Sequence, residues 1–188
     1  MIFIDCGAHD GLISREFLNG DFGKIGESPE IYAFEPNKTM CPKWDKMRKD
    51  FPGVKIQLHQ KAVWVENTTC NYVDFEGHNT ANNIMNNLKI DAYKSTRCYE
   101  IEAIDFDFWM RENFSATSKN SDIVLKMNLE GAEFTVVPKM IFGGSIFLVN
   151  KMILHWHDRF DSKKLSPIRS NLEEWFKNHP ELNISFVG

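Results

Sequence analysis

The sequence predicts an α/β protein built on an open, doubly wound and mostly parallel sheet with an antiparallel excursion. Short apolar runs rich in β-branched and aromatic residues alternate with stretches of helical periodicity, the pattern of βαβ units. The first such run, Ile2 to Cys6, passes directly into a turn carrying Gly7 and Gly11. No internal repeat or low-complexity linker divides the 188 residues. One domain over 1–188 is expected, burying about 70% of its unfolded surface. Because the chain starts inside a strand and stops just after another, a domain excised from a longer polypeptide, or a compact viral or bacterial version, is also expected.

Each element has its own signal. A short helix, Leu12 to Leu18, follows the first turn, and the polar, glycine-bearing stretch Asn19 to Pro29 is a surface loop. Glu30 to Phe34 is the second strand, and a helix from about Lys38 to Asp50 follows Pro36. Pro52-Gly53 ends that helix and introduces a third strand, Val54 to Val63. Cys70 to Phe75 and Tyr99 to Ile104 alternate as an antiparallel pair. A helix over Phe106 to Asn113 leads into the strand Asp122 to Met127, and a further helix runs from Gly131 to about Met140. Ile146 to Trp156 reads as one long strand, Leu165 to Asn178 as an amphipathic helix and Leu182 to Val187 as the last strand. In such a sheet a ligand site lies beyond the carboxyl ends of the central strands.

Composition narrows the function classes. With 22 Lys and Arg against 26 Asp and Glu the net charge is −4, so no basic field recruits nucleic acid or an anionic membrane. No apolar run reaches the length of a membrane span, and Met1 to Ile4 does not read as a signal peptide. The four cysteines, 6, 41, 70 and 98, show neither a CxxC pair nor zinc spacing, so reduced thiols in a cytoplasmic protein are expected.

Glycines after a strand admit a ligand where a Cβ would collide. A dinucleotide fingerprint needs glycines at positions one, three and six, but Gly7 is followed at those positions by His9 and Leu12. S-adenosylmethionine has no pyrophosphate to accommodate. Its methionine ammonium suits Asp5, its ribose hydroxyls suit Glu35 at the end of the second strand, and Ala62-Val63 would border its adenine. Gly7, Ala8, His9, Gly11 and Pro36 complete the expected cofactor-binding set. Glu35 can alternatively serve as a helix N-terminal charge ahead of Pro36.

Downstream, Ile104-Asp105 precedes a helix, and Lys126-Met127-Asn128-Leu129-Glu130-Gly131-Ala132-Glu133 follows the next strand. With Asp5-x-Gly7-Ala8-x-x-Gly11 and Phe34-Glu35-Pro36-Asn37, these segments resemble the FkbM-type methyltransferase family, whose usual pattern reads Lys-Ile-Asp-x-Glu-Gly-Ala-Glu. Leu154-His155-Trp156-His157 looks like that family's Glu-x-His segment. The resemblance runs in order from Ile2 to about His157. It implies a class I, Rossmann-like methyltransferase fold and an S-adenosylmethionine-dependent enzyme that methylates an oxygen, often a sugar hydroxyl. A fused or neighbouring glycan-synthesis domain is the partner this suggests. Asn128 and His155 depart from the pattern, each standing where an acid is usual.

Proton removal from an acceptor hydroxyl calls for a base near the ends of the fourth and fifth parallel strands. His155 is the expected base, with His157 or Asp158 shaping the acceptor pocket, since residues two apart on a strand share a face. Asn128 can hydrogen-bond cofactor or acceptor, or cap a turn. Glu130 is the stronger functional acid, and Glu133 reads as a first-turn helix acid. Lys126 is an alternative base, or pairs with Glu130 or Asp105. A divalent ion on Asn128, Glu130, His155 and Asp158 is conceivable but not favoured. Trp156 can stack on a sugar, and the polar loop Gly77 to Asn83 can close over the site. Two other readings stand beside this one: an S-adenosylmethionine-binding module that serves a partner without catalysing, and an RNA or protein methyltransferase.

Overall fold

The computed structural model describes residues 1–22, 26, 28–75, 95–116 and 122–187, and of residues 73–75 and 95–99 the backbone only. The elements are β1 (Ile2–Cys6), α1 (Leu12–Leu18), β2 (Glu30–Phe34), α2 (Cys41–Asp50), β3 (Lys55–His59), β4 (Ala62–Trp64), β5 (Thr68–Phe75) and β6 (Ser95–Asp105). They continue with α3 (Phe106–Phe114), β7 (Ile123–Met127), α4 (Glu133–Gly143), β8 (Lys151–His155), α5 (Ser162–Lys177) and β9 (Asn183–Val187). The expected loop Gly77 to Asn83 lies outside the described residues.

Six strands form a sheet in the order β3-β2-β1-β7-β8-β9, parallel at every pairing. The order runs one way from β1 and the other way from β7, so the crevice beyond these two strands is the topological switch point. A second sheet, β4-β6-β5, carries the antiparallel excursion, with β5 antiparallel and β4 parallel to β6.

Alternation along β1 divides the core between two faces. Ile2, Ile4 and Cys6 pack with Met110 of α3, Phe134 and Val137 of α4, and Leu165 and Leu172 of α5. Phe3 faces the other way, against Phe17 of α1 and Trp44 and Met47 of α2. Phe3, Phe17 and Trp44 are fully buried, each contributing about 2–3 kcal/mol of apolar burial. Asp5 shares the face of Phe3, and Lys126 shares the face of Val124, which belongs to that same α1–α2 core.

Two expected strands are shorter than their sequence suggested. Val54 to Val63 is not continuous: β3 ends at His59, and Ala62–Trp64 crosses to the second sheet. A continuous apolar pattern does not record which neighbour a strand pairs with. Ile146 to Trp156 is likewise interrupted. After Gly144 at φ 86, residues 145–148 form a 3₁₀ turn. The backbone N–H of Asn150 then donates to the Ile123 carbonyl, while its side-chain oxygen accepts from the Ile123 N–H. Bracketing Ile123 in this way sets the start and register of β8.

The ends of β1 and β7 lie in direct contact. The Asn128 N–H donates to the Cys6 carbonyl at 3.0 Å, extending the ladder one residue past β7. Gly7, at φ 72, lies so close that a Cβ there would collide with the Asn128 carbonyl oxygen. Left-handed backbone and direct collision act together, so Gly7→Ala is expected to cost about 3 kcal/mol or more. Urea denaturation measures this. A loss below about 0.5 kcal/mol would show that the two strand ends part without penalty.

Candidate functional site

The switch point opens into a cavity of about 230 Å³. Its walls come from the first turn (Gly7 to Asp10), the start of α1 (Leu12, Ile13), the end of β2 (Phe34 to Pro36), β4 (Ala62, Val63) and the end of β7 (Lys126, Asn128 to Glu130). Of the expected cofactor residues, Gly7, Ala8, His9, Glu35, Pro36, Ala62 and Asn128 line it, and Asp5 and Gly11 do not.

The first turn is held by its neighbour. Gly7 and Ala8 N–H groups both donate to the Phe34 carbonyl, at 3.1 and 3.0 Å. Glu35 Oε2 accepts the His9 N–H and Oε1 accepts the Asn37 N–H, each at 2.8 Å. Trp44 Nε1 donates to the His9 carbonyl at 2.8 Å, which helps hold His9 at φ 46, a conformation that side chains rarely adopt. Burial pushes the Glu35 carboxyl above its ordinary value, against the downward pull of the two backbone N–H groups. Each oxygen of this carboxylate keeps a lone pair beyond the one engaged. The expected helix-charge alternative for Glu35 is partly realised, because it organises the Pro36-Asn37 turn while also lining the cavity.

Gly11 has a different task from the one expected. At φ 79 it packs against Met47 and Trp44, which leave no room for a Cβ. Its lack of a side chain serves packing between α1 and α2, away from the cavity lining.

Asp5 is fully buried. One oxygen accepts from Ser14 Oγ at 2.7 Å and the other lies 3.0 Å from Lys126 Nζ. Lys126 also donates to the Gly7 carbonyl at 2.8 Å. The expected pairing of Lys126 with Glu130 or Asp105 is therefore not formed; Asp105 instead caps α3 through the Phe108 N–H and pairs with Lys139.

Neither His155 nor His157 lines the cavity; β8 lies next to the β7 strand that does, registered with Lys126 opposite Ile153 and Met127 opposite Leu154. Continuing that register puts Asn128 and His155 on one face. His155 is half-buried; burial first, then the charges of Lys126 and His157, hold its imidazole below the ordinary value. His157 is bonded elsewhere. β8 ends at His155, and His157 turns away to α4. There its N–H and Nδ1 both donate to Glu133 Oε1, at 2.8 and 3.0 Å, and its Nε2 lies 3.3 Å from Glu130 Oε1. Burial alone would lower the His157 pKa, but its bonds to Glu130 and Glu133 outweigh that and raise it to about 9. Glu133, fully buried, accepts the Gly131 N–H as well, so it is more than a first-turn helix acid. Arg159 donates to Glu130 at 2.7 Å, and no motif announced it.

Trp156 is a core residue. It is buried and stacked on Phe134 and Phe186, so it offers no face to a sugar. Asp158 accepts from Ser166 and pairs with Arg169. Among the described residues no group of three or more His, Cys, Asp or Glu is arranged to hold a metal ion. No described helix is long and apolar enough to cross a membrane.

The profile of the Methyltransferase FkbM domain matches residues 5–179. Among solved structures, that of methyltransferase FkbM from Methylobacillus flagellatus KT matches with a TM-score of 0.42 and 13% identity. The match covers 75% of this chain and 29% of that one, so this chain spans under a third of that protein's length. No curated protein matches.

The His157 clamp has a pH signature. A group whose folded pKa lies near 9 instead of 6.5 stabilises the fold fully below pH 6.5, and that contribution is lost as pH rises to about 9. Unfolding free energy is expected to fall by up to about 3 kcal/mol across this window. His157→Gln should be less stable at pH 6.5 and show a flat profile. Denaturant titrations at several pH values test this, and an unchanged slope in the variant would assign the loss to another group.

Proposed function

The chain belongs to the Methyltransferase FkbM domain family, and on that premise we propose that it transfers the methyl group of S-adenosylmethionine to a hydroxyl oxygen, most readily one of a sugar or glycan. The observation that carries this reading is Glu35. Its carboxylate stands at the end of β2, lines the cavity and is locked by two backbone N–H groups, with lone pairs left over for paired hydroxyls.

The cavity suits the donor chemically. Ala62 and Val63 give it an apolar wall against which an adenine can pack, and the buried side-chain oxygen of Asn128 has no hydrogen-bond partner among the described residues. S-adenosylmethionine, when bound, supplies a methyl carbon already made electrophilic by its sulfonium. What remains for the protein is to orient the acceptor and take its proton. His155 suits the second task, because an imidazole held below its ordinary pKa is neutral and basic at pH 7. His157, held as a cation by two carboxylates, does not suit it. Glu130, fixed by Arg159 and His157 at the cavity wall, is placed to accept a hydrogen bond from an acceptor hydroxyl. The free thiols at Cys6, Cys41 and Cys70 support a cytoplasmic setting.

Calorimetry should give heat with S-adenosylmethionine and none with NAD; folded protein silent toward the former would sink the reading. Glu35→Ala is expected to weaken that binding about 10- to 100-fold, the loss of 1–3 kcal/mol that follows a missing buried acceptor. His155→Ala should bind normally while label transfer from the methyl donor to a glycan panel drops by about 100-fold or more. Binding without transfer to glycans, RNA caps or phenols would instead support a module that holds the nucleotide for a partner.

A further inference from the structure

Resting on the reading of the cavity as a methyl-donor site, we infer that Lys126 and Asn128 form the subsite for the donor's zwitterionic amino-acid end, Lys126 toward its carboxylate and Asn128 toward its ammonium. Asp5, the acid that the sequence offers for the ammonium, is already committed. It is fully buried, hydrogen-bonded to Ser14 and ion-paired with Lys126, and does not line the cavity.

Lys126 does line it, as a buried cation. An ammonium has three donors. One donates to the Gly7 carbonyl at 2.8 Å, and the Asp5 carboxylate lies 3.0 Å away as an ion pair without hydrogen-bond geometry, while a further donor meets only the Cys6 carbonyl at 3.5 Å, the limit of a hydrogen bond. That donor is free to take a better acceptor. Asn128 stands two residues on, and its N–H continues the β7 ladder, so both side chains belong to the same face. Its Oδ1 is buried at the cavity wall without a hydrogen-bond partner among the described residues, an acceptor that an N–H donor from a ligand would match.

Charge agrees with this. Asp5 and Lys126 cancel, and the Asn128 amide adds nothing, so this wall is neutral overall while presenting a donor beside an acceptor. A free α-amino acid group is neutral overall and presents the complementary pair. A simple anion would meet a cation already balanced by Asp5, and a simple cation would meet no net charge.

The test compares S-adenosylhomocysteine with 5′-methylthioadenosine by calorimetry, two neutral thioethers with the same nucleoside, of which only the first carries the amino acid. Wild-type protein is expected to prefer S-adenosylhomocysteine by at least about 30-fold, as two charge-assisted or buried hydrogen bonds require. Lys126→Met combined with Asp5→Asn, which removes both charges of the buried pair together, should lower the preference to about threefold or less, each variant's 5′-methylthioadenosine affinity serving as its own reference. Asn128→Ala leaves that pair intact and should lower the preference about tenfold. If the double variant does not fold, Asn128→Ala decides. A preference unchanged in the folded variants, or absent in wild-type protein that binds 5′-methylthioadenosine, overturns the subsite and leaves the donor reading standing. Failure of wild-type protein to bind either compound overturns the donor reading itself.

Discussion

The close approach of Gly7 to the Asn128 carbonyl is the constraint on which the site depends. β1 and β7 are the two strands from which the sheet order departs in opposite directions, and the crevice exists because their following loops diverge. The loops can diverge only after the strand ends have met, and a side chain at position 7 would keep them apart. Lys126 fastens the meeting from below by binding the Gly7 carbonyl and the Asp5 carboxylate. Phe34 fastens it from the side by accepting two N–H groups of the turn. One glycine, one buried ion pair and one carbonyl therefore set the floor of the cavity.

A second device holds the cavity's far wall. Glu130 and Gly131 both have positive φ, at 51 and 104, so the loop from β7 to α4 is bent sharply at its middle. Such a bend persists where surrounding contacts over-determine it. Here Glu133 takes the Gly131 N–H, and His157 bridges Glu133 to Glu130. A fully buried carboxylate needs a counter-charge, and His157 provides it across the gap between α4 and the end of β8. Positions 130 and 155 are thus fixed relative to one another through a residue that touches neither cofactor nor acceptor in the proposed reaction.

Much of this was legible in the sequence where local chemistry decides the outcome. The strand-then-glycine turn, the acid at the end of β2 and the order of elements each leave a short-range pattern, and each recurs in the structure. Pairing across distance leaves none. Asp5 reads as a ligand-binding acid because nothing nearby in sequence reveals that Lys126, on another strand, will claim it. His155 and His157 read as a pair because a period of two was extended past the point where β8 ends. Trp156 reads as a sugar platform although its partners, Phe134 and Phe186, come from α4 and β9. Gly11 reads as a ligand-turn glycine although its neighbours are Met47 and Trp44. In every case the residue type was informative and the partner was not.

The two positions that depart from the family's usual acids can be weighed against this charge pattern. Around the ends of β7 and β8, three buried carboxylates, Asp5, Glu130 and Glu133, are balanced by Lys126, His157 and Arg159. Acids at 128 and 155 would add two negative charges to a face that has no described cation left to receive them. An amide and a neutral imidazole add none, so the substitutions agree with one another and with the ion pairs around them. They differ in what they retain. An amide at 128 keeps a hydrogen-bond acceptor but gives up any basicity. An imidazole at 155, kept uncharged by burial and by Lys126, can still accept a proton near neutral pH. Of the two changes, the one on β8 preserves the means of taking a proton, and the one just past β7 leaves a buried oxygen without a hydrogen-bond partner among the described residues.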